Sequence, residues 1–112
     1  MSDMNKIVNN IFAHLPTDLS AKVFEPILSG SSFRVERIVS KGHSTPNHDW
    51  YDQDENEWVM VLKGAAKLEF EGQKMVHLEA GSHINIPAHT RHKVAWTAPD
   101  TETVWLAVYY QD

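Results

Sequence analysis

Two short segments constrain this chain more than any others. Glu57-Trp-Val-Met-Val-Leu-Lys-Gly64 is answered downstream by Gly81-Ser-His-Ile-Asn-Ile-Pro87-Ala-His-Thr-Arg-His92. In each, a side chain able to ligate a metal stands at a fixed distance from a turn glycine. Glu57 opens an apolar run that stops at Gly64; His92 opens another after the Gly81 and Pro87 turns. Runs this short, rich in Val, Ile and Trp and closed by Gly or Pro, read as strands. Two such strands bring Glu57 and His92 together inside a small barrel, so a metal site is the leading functional expectation.

The same pattern extends along the chain. Strands are expected near 22–28, 33–40, 56–63, 65–71, 73–79, 83–87, 91–97 and 102–110, with tight turns at Gly64, Glu71-Gly72 and Ala80-Gly81. Closely spaced strands with such turns make an all-β, antiparallel sandwich or barrel. Ahead of them, Ile7, Val8, Ile11, Phe12 and Leu15 recur at helical spacing, which predicts a short helix over 4–15 ended by Pro16. The 112 residues are read as one domain, with 1–20 a helical extension and 33–110 the barrel core. Lys41 to Asn56 is the long irregular loop, the kind of segment that carries function in compact domains.

Alternation assigns faces. Glu57, Val59 and Val61 share one side of their strand. His92, Val94 and Trp96 are expected to share the inward side of theirs, because Arg91 and Lys93 belong in solvent.

Composition removes several classes of function. No cysteine is present, so disulfides, thiolate metal sites and cysteine nucleophiles are excluded. A net charge of −5 with scattered basic residues argues against nucleic acid or an anionic membrane as partner. No stretch approaches the ~20 apolar residues of a membrane span. The N-terminus has neither the basic region nor the apolar run of a secretory signal, and a cytoplasmic location is expected.

These residues resemble the cupin family. Its first motif ends in a Glu followed seven positions later by Gly, as Glu57 and Gly64 stand here; its second runs Gly, then Pro six residues on, then His five further, as Gly81, Pro87 and His92 do. The resemblance covers residues 33–110 and implies a single antiparallel jelly-roll barrel with a site in its mouth, often in a homodimer. Where the family carries a His-x-His pair, this chain has Trp50 and Asp52, or Tyr51 and Gln53. His89 and Trp96 replace the motif's later Gly and Asn.

A divalent ion (Fe, Mn, Ni or Zn) would then be held by Glu57 and His92, with Asp52 or Gln53 adding oxygen and His48 swinging in from the loop. Trp50, Tyr51, His89 and Trp96 would shape the pocket. Three functions follow as expectations. One is a metal-dependent dioxygenase or isomerase acting on a small polar molecule. The second is a binding or sensing module without tight metal, in which Glu57 and His92 still form an acid and base pair, each moving the other's pKa. The third is an oligomerisation domain.

Overall fold

The computed structural model describes residues 8–45 and 49–112. Eight strands form: β1 (Val23–Ser29), β2 (Phe33–Ser40), β3 (Asn56–Lys63), β4 (Ala65–Phe70), β5 (Met75–Glu79), β6 (His83–Ile86), β7 (His92–Thr97) and β8 (Thr103–Tyr110). Each lies where a run rich in β-branched and aromatic residues predicts it, and every paired neighbour is antiparallel. The order is β1-β2-β8-β3-β6 in a five-stranded sheet and β5-β4-β7 in a three-stranded one.

The core lies between the two sheets. In β3, every second residue is buried, so Glu57, Val59 and Val61 point inward. Trp105, Ala107 and Tyr109 from β8, Ile38 from β2 and Ile86 from β6 share that interior with Ala66, Leu68 and Phe70 from β4 and Val94 from β7. Trp105 satisfies its buried indole N–H on Ser40 Oγ at 3.2 Å. The interior is apolar apart from a few buried polar side chains, among them Glu57 and His92 at one end and Ser40 and Thr103 at the other.

The chain passes from the large sheet to the small one at Gly64, between β3 and β4. Its φ is +88°, and a Cβ there would lie 2.8 Å from both Glu102 O and Thr103 Cα. Only glycine accommodates both the left-handed backbone and the neighbouring chain.

Two expectations need correction. The barrel is not closed: the described residues form two separate sheets with no ladder between them. On the side of β7, the loop ahead of β3 spans part of the gap instead. Tyr51 there exchanges backbone hydrogen bonds with His92, at 2.7 and 3.1 Å.

The N-terminal helix is also absent from the described residues. Ile11 to His14 make only a turn, in which Ala13 N–H donates to Asn10 O at 3.0 Å and Phe12 N–H to Asn10 Oδ1 at 2.8 Å. His14 then takes φ +54°, which a right-handed helix cannot continue through. Residues 4–7 of that expected helix lie outside the described residues. No helix among the described residues is long and apolar enough to cross a membrane.

Tertiary contact wins over periodicity at this turn. Arg37, 8% exposed on β2, donates from Nη1 to Ile11 O (2.9 Å) and Ala13 O (2.7 Å) and from Nη2 to His14 O (3.2 Å). Its Nε donates to Glu25 at 2.8 Å. Arg37→Met removes the donors from three carbonyls together. It should cost about 1–3 kcal/mol in urea denaturation and make the residues before 20 the first site of proteolysis. Unchanged stability and cleavage would show that the turn is held by its apolar side chains instead.

Candidate functional site

A cavity of about 340 Å³ opens between the sheets, at the small end of the range for ligand pockets. Ile38, Val59, Leu68, Ile86, Val94 and Trp105 make its apolar floor and walls. Polar groups enter from six segments of the chain. Lys22 lies ahead of β1, Arg34 and Glu36 sit on β2, Tyr51 and Gln53 on the loop before β3, and Glu57, His92 and Tyr109 on β3, β7 and β8.

Glu57 and His92 reach the interior by simple alternation, one in phase with Val59 and the other with Val94. Both are buried, Glu57 9% and His92 3% exposed. His92 Nε2 lies 3.5 Å from Glu57 Oε1, and Gln53 Nε2 donates to the same oxygen at 3.0 Å. The other imidazole nitrogen, Nδ1, is 2.7 Å from Thr90 O. A carbonyl accepts only, so Nδ1 carries a hydrogen. The neutral ring must then turn the lone pair of Nε2 toward a carboxylate, an unfavourable pairing that one added proton reverses. Burial pulls the pKa of His92 down, but the hydrogen bonds to Glu57 and Thr90 and the charge of Glu57 together carry it above the ordinary imidazole value. The two side chains face each other at the edge of a mostly apolar enclosure.

The rings of Tyr51 and Phe70 flank His92, with centroids 5.6 and 5.9 Å from its own. Burial, followed by the charges of Glu57 and Glu36, keeps the Tyr109 phenol well above its usual pKa, so it stays neutral. Arg34 lies 3.9 Å over the Tyr109 ring and is fixed there by Glu36 at 2.9 Å and Glu55 at 2.8 Å.

Of the residues singled out in the sequence, Tyr51, Gln53, Glu57 and His92 line this cavity together. The rest lie elsewhere or outside the described residues. Asp52 faces away from the cavity and bonds His89 Nδ1 at 2.9 Å. His89 is exposed at φ +63°, with Nε2 3.4 Å from Asp54; the hydrogen bond to Asp52 chiefly raises its pKa. Trp50 lies under Lys93 and Arg91, 4.6 and 5.9 Å from their charged ends, and does not line the cavity. His48 lies outside the described residues.

Trp96 corrects the expected face. The β4–β7 register slips between Lys67 and Leu68, so Ala95 is an extra residue in β7. Such a bulge reverses the alternation beyond it. Trp96 therefore turns outward, 5.3 Å from Lys67 Nζ, while His92 and Val94 remain inside.

Sequence reasoning missed Lys22, Phe24, Arg34, Glu36 and Tyr109. A signal was present for three of them. Arg34 and Glu36 are in phase with buried Ile38, and Tyr109 is in phase with Trp105 and Ala107.

The donor set decides whether a resident divalent ion fits. Among the described residues, no three His, Cys, Asp or Glu side chains come together in a way that could hold a metal. Glu57 and His92 supply one oxygen and one nitrogen, Asp52 is directed elsewhere, and Gln53 turns its amide nitrogen toward Glu57. Two donors fall short of the four or more that such ions take, so the described residues of this set do not by themselves fit one.

Known proteins agree with the fold. The Cupin domain family model matches residues 35–109. A Ralstonia eutropha JMP134 protein named as a candidate mannose-6-phosphate isomerase is 39% identical, with 95% of this chain and 99% of that one covered and a TM-score of 0.90. An RmlC-like cupin protein of Desulfovibrio desulfuricans is 18% identical over 92% of this chain and 95% of that one, with a TM-score of 0.72. A cupin superfamily protein of Desulfitobacterium hafniense DCB-2 is 13% identical over 88% and 84%, with the same TM-score of 0.72. No curated protein matches the chain. With two thirds of its length matched by the family model, over the strands that carry Glu57 and His92, the chain belongs to the cupin domain family.

Proposed function

We propose that the cavity binds a small organic molecule without a resident metal, and that the Glu57–His92 pair exchanges a proton with it. The observation that carries this reading is the pair itself. A buried carboxylate and imidazole stand 3.5 Å apart on the cavity wall, with the ring's far nitrogen on Thr90 O, an arrangement that favours a proton on Nε2 between them. A poised proton of this kind serves general acid–base chemistry near neutral pH. It serves equally to recognise a hydroxyl or carbonyl without turnover. The candidate isomerase name of the Ralstonia relative is compatible in kind, because aldose–ketose isomerisation moves a proton between neighbouring carbons.

The test is an NMR screen of chelator-treated protein against mannose 6-phosphate and a panel of small hydroxy and keto acids, read at the His92 ring. Compounds that shift those resonances in the wild type and not in Val59→Phe, which fills the cavity, are the expected result. Binding that appears only when a divalent ion is added would contradict the proposal and restore the metal reading.

A further inference from the structure

The charged groups on the cavity wall are nearly all matched. Arg34 is held by Glu36 at 2.9 Å and Glu55 at 2.8 Å, and Glu57 by His92 and Gln53. Lys22 is the exception. Among the described residues no carboxylate lies within ion-pair distance of it; its Nζ stands 5.6 Å from the Phe24 ring and 5.8 Å from the Tyr51 ring. Those ring faces stabilise the ammonium only weakly at a part-exposed site. The result is a cation at one end of an apolar cavity, with Tyr51 reaching from it to His92.

We propose that Lys22 anchors the anionic group of the bound molecule, which makes the ligand an organic anion (a carboxylate, sulfonate or phosphate ester) on an apolar body. The body lies against Phe24, Tyr51 and Trp105, and the opposite polar end meets the Glu57–His92 pair. The inference rests on the reading of the cavity as a ligand site. It narrows the ligand by charge and by shape: a neutral polyol leaves Lys22 unmatched, and a wholly polar molecule wets the floor made by Ile38, Val59 and Leu68.

Two fluorescent probes separate the inference from the reading beneath it. 8-Anilinonaphthalene-1-sulfonate and neutral N-phenyl-1-naphthylamine share one ring system and differ by the sulfonate. Both are titrated into the chelator-treated full chain, into Lys22→Gln and into Val59→Phe. Lys22→Gln is expected to weaken the sulfonate about fivefold, the effect of one part-exposed charge pair, and to leave the neutral probe unchanged. Val59→Phe is expected to weaken both. Equal effects of Lys22→Gln on the two probes, or none, overturn the anion anchor while the cavity reading stands. Failure of the wild type to bind either probe, or indifference of both to Val59→Phe, overturns the cavity reading and the anchor with it. If Val59→Phe does not fold, Tyr51→Ala, which removes a wall from the loop, replaces it.

Discussion

Gly64→Ala should destabilise the fold by about 3 kcal/mol or more, from left-handed backbone strain and overpacking together. A methyl group at φ +88° meets Glu102 O and Thr103 Cα at 2.8 Å, and both are backbone atoms that cannot rotate aside. The loss is a large share of the roughly 5–15 kcal/mol that stabilises a domain. Gly81 is the control. It has φ +94° but nothing within 4 Å of a built Cβ, so Gly81→Ala carries the backbone strain alone, about 1–2 kcal/mol. Urea denaturation of the two variants measures the difference. Equal losses would mean that β8 does not approach the β3–β4 turn as described.

Glu57→Gln should reverse the sign of the pH dependence contributed by His92. In the wild type, His92 has its pKa above the unfolded value, near 6.5 for imidazole, because Glu57 and Thr90 outweigh burial. Its contribution to stability is therefore fully present below about pH 6.5 and is lost as pH rises through the raised folded value. Without the carboxylate, burial, already the largest single influence, is opposed only by the Thr90 hydrogen bond, and the ring resists protonation. The variant should then lose stability as pH falls through the imidazole range, where the wild type gains it. Denaturation midpoints at a series of pH values from about 5 to 8 provide the check. Parallel curves for the two proteins would mean that Glu57 does not set the protonation of His92.

Much of this was legible in the residues, for reasons that differ from place to place. The eight strands follow from short β-branched runs between Gly, Pro and Asn. Glu57 and His92 follow from period two, since each is in phase with buried valines on its own strand. Trp96 was misplaced because a bulge is invisible to strict alternation, and Ala95 carries no mark that it will be the extra residue. The periodicity of Ile11–His14 predicts helix, but Arg37, far away in sequence, holds the turn through three carbonyls. Sheet closure depends on whether the edge strands of the two sheets meet, which no local pattern encodes. Lys22 was missed because one lysine before a strand looks like any solvated cation until the fold places Phe24 and Tyr51 beside it.

The central claim is that a buried Glu57–His92 pair, acting without a metal, is the working part of the cavity. It is tested most directly by following the His92 ring through an NMR pH titration of chelator-treated protein, with and without one equivalent of Zn²⁺. The expected result is one curve under both conditions, with a midpoint above the ordinary imidazole value. A ring that stops titrating when Zn²⁺ is added, or that titrates below the ordinary value in the metal-free protein, would contradict the claim.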